Sequence, residues 1–109
     1  MKAWLSTGLM SVALAGCVSA PNTPSLVLNS SKPPSEYAHC AYPKWRESNA
    51  NTSLSQHRGN FTLVAQSSIR ANQIMNVYKD GEGSQVEFYG PVVAPLARPA
   101  LLNSARACL

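Results

Sequence analysis

Charged side chains and long hydrophobic runs are both scarce in this chain. Asp, Glu, Lys and Arg make up 13% of its 109 residues, which argues against a disordered acidic or basic chain, and the length allows one domain at most. The 9 Lys and Arg exceed the 5 Asp and Glu but are spread along the sequence, whereas a phosphate-binding footprint needs clustered basic residues. The longest apolar run, residues 3–16, is shorter than the ~20 residues of a membrane-spanning helix. We therefore expect neither a nucleic-acid partner nor a membrane-spanning helix.

Sequence signatures of catalysis and of cofactor binding are also missing. The chain has no Gly-rich nucleotide loop, no phosphate-binding loop and no paired metal-ligand spacing. His39 and His57 lack an accompanying set of nucleophile and base. A chain of this length also has little room for a pocket of ~300 Å³ besides a core. We therefore predict that the protein is not an enzyme and that it binds no cofactor or metal ion.

The beginning of the chain has the organisation of a secretory signal. A cationic start precedes the apolar residues 3–16, which end in small side chains. Residues 14–17 read Leu-Ala-Gly-Cys and resemble the lipobox of bacterial lipoproteins. In that family the signal peptide, here residues 1–16, is cleaved before the cysteine, and acyl chains on Cys17 would hold the protein at a membrane. The alternative is an ordinary secretory signal cleaved near Ala20, which would discard Cys17.

The residue that follows the lipobox cysteine bears on the destination of the protein. This residue is Val18, whereas an aspartate there tends to retain lipoproteins of the enteric type in the inner membrane. The resemblance therefore implies the outer membrane, with the protein facing the periplasm.

A segment rich in Pro, Ser and Asn follows the predicted lipidation site. Residues 17–34 offer little apolar surface to bury, so we predict a flexible tether. Fully extended, this tether would reach ~55 Å. The apolar triplet Leu26, Val27 and Leu28 interrupts its composition. The triplet is either a short strand at the edge of the domain or a docking segment for a partner.

The rest of the chain, residues 35–109, is predicted to form one small globular domain. Ser35 offers an N-cap to a first helix, which Pro43 should end or kink, with one further turn after it. Residues 49–59 are polar and are predicted to be a loop. Residues 61–65 alternate between apolar and polar side chains, as in a half-buried strand.

A β-hairpin is the clearest local prediction. Residues 74–79 and 84–89 flank the sequence Asp-Gly-Glu-Gly, whose two glycines are available for a tight turn. Pairing Lys79 with Ser84 gives one apolar face, with Val77 opposite Val86 and Met75 opposite Phe88. Pro91 cannot donate to a ladder and should end the second strand.

The C-terminal tail is predicted to be a second helix that begins at Pro95 or Pro99. Its apolar side chains have helical spacing: Leu101, Leu102, Ala105, Cys108 and Leu109. The predicted fold class is therefore α+β. It is a small antiparallel sheet of about three strands packed under an N-terminal and a C-terminal helix.

Two cysteines remain once Cys17 is lipidated. Cys40 and Cys108 lie on the apolar faces of the two predicted helices, and the periplasm is an oxidising compartment. We predict a disulfide between them, and the alternative is two buried free thiols. His39 adjoins Cys40, but no second pair of residues has the spacing of metal ligands.

Three aromatic residues of the first helix, Tyr37, Tyr42 and Trp45, are the candidate partner-binding residues. They form either a platform for a glycan or another partner, or the packing of the helix on the sheet. The sequence predicts an anchor and a tether and offers no set of catalytic residues. The leading hypothesis is therefore a structural or accessory lipoprotein. Such a protein would dock to a larger assembly of the bacterial envelope.

The alternative hypothesis is an inhibitor or exclusion lipoprotein that acts on a lysozyme, a phage or a conjugation apparatus. Residues 36–40, Glu-Tyr-Ala-His-Cys, together with Cys108 resemble a segment and a late cysteine of the membrane-bound inhibitors of c-type lysozyme. One extra residue precedes the first cysteine and the inhibitory loop of that family is missing, so no inhibitory residue is carried over. A third hypothesis is a basic head that rests on anionic lipid or glycan.

Overall fold

Five antiparallel strands form a single sheet, and two helices pack over one of its faces. The computed structural model describes residues 23–68, 72–92 and 97–109. In chain order the elements are β1 (Leu26–Ser30), α1 (Pro34–Ser48), β2 (Thr52–His57), β3 (Asn60–Ala65), β4 (Gln73–Asp80), β5 (Gly83–Tyr89) and α2 (Pro99–Ala107). The strand order is β1-β5-β4-β3-β2. The strands β2 to β5 thus form a meander, and β1 is added beside β5.

The prediction of about three strands is wrong, because the sheet has five. Both additional strands, β1 and β2, lie at the edges of the sheet. β1 falls within the segment predicted to be a tether, where the triplet at residues 26–28 forms the edge strand that was one of its two predicted alternatives, and β2 falls within the segment predicted to be a loop. An edge strand obtains its backbone hydrogen bonds from one neighbour and needs few apolar side chains, so its composition carries a weak signal.

β1 is held by pairing with β5 and by contacts beyond its end. Leu26 and Leu28 lie opposite Phe88 and Val86 on the face that the helices cover. The hydroxyl of Ser30 donates a hydrogen bond of 2.9 Å to the backbone carbonyl oxygen of Leu109. The first strand is therefore attached to the end of the chain as well as to the sheet.

β2 and β3 form a hairpin whose two-residue turn lacks the usual sequence signature of such turns. Arg58 has a φ of 56° and Gly59 a φ of 84°, and His57 pairs with Asn60 across this turn. Positive φ at both central residues is the conformation that favours Asn-Gly and Asp-Gly. An arginine at the first central position does not indicate this turn type. For this reason the sequence predicts a loop over residues 49–59.

The β4–β5 hairpin is confirmed with the predicted register. Lys79 lies opposite Ser84, and the apolar pairs are Val77 with Val86 and Met75 with Phe88. All four apolar side chains are buried. β5 ends at Tyr89, before Pro91.

α1 runs from Pro34 to Ser48 with Pro43 inside it, so the helix does not end before Pro43. The helix also begins two residues earlier than an N-cap at Ser35 predicted, because the N-cap is Pro33. Pro43 and His39 are both exposed. Solvent can therefore hydrate the His39 carbonyl group that the proline leaves without an intrahelical donor.

α2 begins at Pro99, which is one of the two predicted starts, and it packs against α1. Its Leu101 and Ala105 are buried together with Cys108. The core lies between the helices and the covered face of the sheet. Its largest fully buried side chains are Trp45, Tyr37, Phe88, Leu63, Met75 and Leu101.

Candidate functional site

The face of the sheet that points away from the helices is the candidate functional site, and we call it the open face. Because side chains alternate along a strand, every second residue of the five strands points to this face. Its side chains are half-buried or exposed. The central row crosses β1, β5, β4, β3 and β2 through Val27, Glu87, Asn76, Thr62 and Ser55.

Glu87 lies in this row and is held by two neutral donors. The Tyr89 hydroxyl donates to Glu87 Oε1 at 3.0 Å, and Gln85 Nε2 donates to Glu87 Oε2 at 3.0 Å. Further along the row, the Thr62 hydroxyl donates to Asn76 Oδ1 at 2.8 Å. The carboxylate is therefore fixed in orientation, while each of its oxygens keeps capacity for a further donor.

Tyr89 is a stable donor to this carboxylate. Burial and then the hydrogen bond and negative charge of Glu87 raise the pKa of Tyr89 above its ordinary value, while Asn76 acts in the opposite direction. A raised pKa keeps the phenol protonated at neutral pH. Tyr89 and Gln85 thus orient Glu87 without neutralising its charge.

The open face combines features of a binding surface. Tyr78 and Tyr89 offer aromatic surface, Asn76 and Gln85 offer amide groups, and Glu87 is charged. Aromatic side chains with polar tips are enriched at protein interfaces, since they provide apolar area and a hydrogen bond together. The arrangement can recognise a partner through contact area and a small number of oriented polar groups.

A Ser–His contact on α1 does not form a catalytic pair. The Ser35 hydroxyl lies 3.4 Å from His39 Nδ1. The same nitrogen lies 2.7 Å from the backbone carbonyl oxygen of Ser35, so Nδ1 carries the proton and donates it to that carbonyl. A protonated Nδ1 cannot accept the serine proton, and the contact therefore lacks the base that nucleophilic catalysis requires.

A polar groove of about 540 Å³ lies where α1, β3 and α2 approach one another. Among the described residues that line it, Arg98 carries the charge; these residues are Ser48, Asn49, Ala50, Asn51, Gln66, Ser67, Ser68 and Arg98. None of these residues is a carboxylic acid, a histidine or a cysteine. The described lining of the groove therefore includes no general acid or base of the usual kinds.

The three aromatic residues predicted to bind a partner do not form a surface together. Tyr37 and Trp45 are fully buried, and Tyr42 is half-buried with Arg46 over its ring at 5.8 Å from the centroid. Trp45 packs edge-on against Phe88 and donates to the Leu101 carbonyl oxygen at 3.1 Å. The packing interpretation therefore fits two of the three residues, because their spacing on the helix turns them toward the sheet.

Because the Tyr37 phenol is buried, we expect the free energy of unfolding to fall at alkaline pH. Its hydroxyl donates to the Ala105 carbonyl oxygen at 2.6 Å, and burial raises its pKa. Above pH ~10 the unfolded state releases the phenol proton while the folded state retains it, so the free energy of unfolding falls as pH rises. Below pH ~10 this contribution is fully present.

Urea unfolding of the wild type and of Tyr37→Phe between pH 8 and pH 11 measures this effect. Tyr37→Phe should be about 1 kcal/mol less stable at pH 8, because the Ala105 carbonyl loses its donor, and should lose less stability above pH ~10. Tyr42→Phe is the matched control for removal of a phenol hydroxyl. Identical pH profiles for the wild type and Tyr37→Phe would contradict the assignment.

The predicted disulfide between Cys40 and Cys108 is confirmed. The two Cα atoms are 5.8 Å apart, and the bond joins α1 to the residue after α2. The predicted lipidation site, Cys17, lies outside the described residues, as does the predicted signal peptide.

Glu87 is the functional candidate that sequence reasoning missed. The hairpin register that aligned Val77 with Val86 also places Glu87 opposite Asn76 on the other face. The signal was therefore present in the sequence. The alternation alone does not single out Glu87, because a carboxylate on the outer face of a hairpin is ordinarily a solvated surface charge.

Neither metal ligands, nor membrane-spanning helices, nor related proteins assign a function to the described part of the chain. Within residues 23–68, 72–92 and 97–109, no group of three or more His, Cys, Asp or Glu could hold a metal ion. Over the same residues, no helix is both long and apolar enough to cross a membrane. Comparisons with protein-family models, with curated proteins and with solved structures found no match to the chain.

Proposed function

We propose that this protein is a lipid-anchored accessory protein of the bacterial outer membrane. Acyl chains on Cys17 hold it at the membrane, and its head faces the periplasm. The head binds a protein of the envelope through the open face and carries out no catalysis. The observation that carries this proposal is the two-sided sheet, in which one face packs under the helices and the other presents oriented polar and aromatic side chains.

The position of β1 supports a head that stays close to the membrane. The backbone N–H of Ser25 donates to the Phe88 carbonyl oxygen at 2.7 Å, so the chain joins the sheet eight residues after Cys17. Eight extended residues span ~28 Å at most. This is about half the ~55 Å reach expected of a tether that extends to residue 34. The partner therefore lies near the membrane surface.

Exposed apolar surface supports a protein partner. Val27, on the open face beside Glu87, is 46% exposed. Ile74 and Val64 lie opposite each other on the same face and are half-buried. Apolar side chains next to satisfied polar groups are the mixture found in transient protein interfaces.

Site-specific photo-crosslinking of the full-length protein in native membranes tests this proposal. The photoreactive residue replaces Asn29, an exposed residue of the open face, or Lys44, an exposed residue of α1 on the other side of the molecule. We expect a single protein adduct from Asn29, at least fivefold more abundant than any adduct from Lys44. Equal adducts from both positions, or adducts from Asn29 with lipid or glycan alone, would overturn the proposal.

A further inference from the structure

Charge is unevenly distributed between the two sides of the sheet. The chain has a formal charge of +4, yet the open-face positions of the described strands include no Lys or Arg. They include Glu87 in the central row, Asp80 at the end of β4 and the histidine His57 at the end of β2. The described cations lie elsewhere, at Lys32, Lys44, Arg46, Arg58, Lys79, Arg98 and Arg106.

Glu87 is an oriented carboxylate without a cationic partner among the described residues. Its two hydrogen bonds come from the phenol of Tyr89 and the amide of Gln85, which are both neutral donors. A half-buried carboxylate interacts more strongly with an opposite charge than a fully hydrated one, because the local dielectric is lower. A carboxylate that these two donors orient without neutralising retains the capacity to pair with a cation.

The surroundings of Glu87 suit a long cationic side chain. Tyr89 is two residues away on β5, and Tyr78 lies opposite Gln85 on β4, so two aromatic rings are near the carboxylate. A guanidinium or ammonium group is attracted to the face of a tyrosine ring. Val27, directly opposite Glu87 on β1, offers apolar surface to the methylene stem.

From this charge complementarity we propose that the open face takes an arginine or lysine side chain of the partner protein, which pairs with Glu87. The inference rests on the proposed function and specifies its partner chemistry. An arginine fits best, because its planar fork donates to both carboxylate oxygens at once. Glycans and a second copy of this chain are the competing occupants that the test must separate.

The test compares two charge-removing variants in the crosslinking experiment from Asn29. Glu87→Gln removes the charge of the site, and Glu82→Gln removes an equal charge from the exposed β4–β5 turn. We expect the adduct to fall about fivefold to tenfold with Glu87→Gln, as for a partly buried charge pair. With Glu82→Gln it should change by less than about twofold. Thermal unfolding of both variants verifies that they fold.

A reciprocal substitution in the partner makes the test independent of the folding of Glu87→Gln. Mass spectrometry locates the crosslinked peptide, which should carry an arginine or lysine near the crosslinked residue. Replacing that residue with glutamine should reduce the adduct of the wild-type chain by a similar factor. Double substitution should add little, because the two residues act as a pair.

The outcomes distinguish this inference from the proposed function. A protein adduct from Asn29 that is insensitive to Glu87→Gln, or equally sensitive to Glu82→Gln, overturns the inference and leaves the proposed function in place. A glycan adduct, an adduct with a second copy of the chain, or no adduct overturns both. An adduct that depends on Glu87 and on a cation of another protein supports both.

Discussion

Removing the Cys40–Cys108 disulfide is expected to lower the free energy of unfolding by about 4 kcal/mol. The bond joins residues 68 positions apart, so it closes most of the domain into one loop. In the chain-entropy account, a bond over such a loop stabilises the fold because it restricts the unfolded state. A domain of this size has a small core and a total stability of a few kcal/mol, so the loss is a large share of it.

Urea and thermal unfolding of the double variant Cys40→Ala/Cys108→Ala measure this contribution. The melting temperature should fall by roughly 15–30 °C. Alanine is the appropriate replacement, because Cys108 is fully buried and a serine hydroxyl there would add a desolvation cost. The reference protein has Cys40 and Cys108 intact. Both proteins carry Cys17→Ala, so that neither is acylated. A loss below about 1 kcal/mol would show that helix packing, and not the bond, holds the two helices together.

Replacing Cys17 with alanine is expected to move the protein from the membrane to the soluble fraction. Each buried methylene group of an acyl chain contributes ~0.8 kcal/mol, so several chains hold a protein firmly where one holds it only marginally. Alanine cannot carry a thioether-linked lipid. The head should remain folded, because the described sheet begins at Leu26 and the disulfide does not involve Cys17.

Membrane fractionation with a high-salt wash, followed by mass spectrometry of the N-terminus, measures this effect. The wild type should stay in the membrane pellet with acyl groups on Cys17, and Cys17→Ala should appear in the soluble fraction. Ser19→Ala, which changes a nearby residue and keeps Cys17, is the matched control and should stay in the pellet. A soluble wild type cleaved near Ala20 would contradict lipidation, and release of the wild type by salt would indicate an electrostatic contact instead.

Local patterns predicted the elements whose signals are contained in a few neighbouring residues. The β4–β5 hairpin has glycines in its turn and apolar residues at alternate positions, so one register buries all of them. α2 has a proline in its first turn and apolar residues at helical spacing. Helical spacing in the predicted first helix and in α2 placed Cys40 and Cys108 on faces that cover the sheet, and this spacing together with the expected oxidising compartment predicted their bond.

Patterns of composition failed where a distant partner decides the structure. Residues 26–30 lie in a segment rich in Pro, Ser and Asn, but they form a strand because β5 offers an unpaired edge beside them. Thr52 and Leu54 supply the few side chains with which β2 packs against the rest of the domain. The apolar triplet at residues 26–28 indicated an edge strand as one of two alternatives, but the partner of neither strand can be identified from local composition, because that partner lies elsewhere in the chain.

The sequence by itself determined the hairpin, the second helix, the disulfide pair and the expectation of a lipid anchor at Cys17. Each of these depends on neighbouring residues or on a short motif. Only the tertiary structure decided the number of strands, the burial of Tyr37 and Trp45, and the separation of the sheet into a covered and an open face. Glu87 is a surface acid in the sequence, and it becomes a candidate binding group because sheet pairing and two neutral donors hold it on the open face.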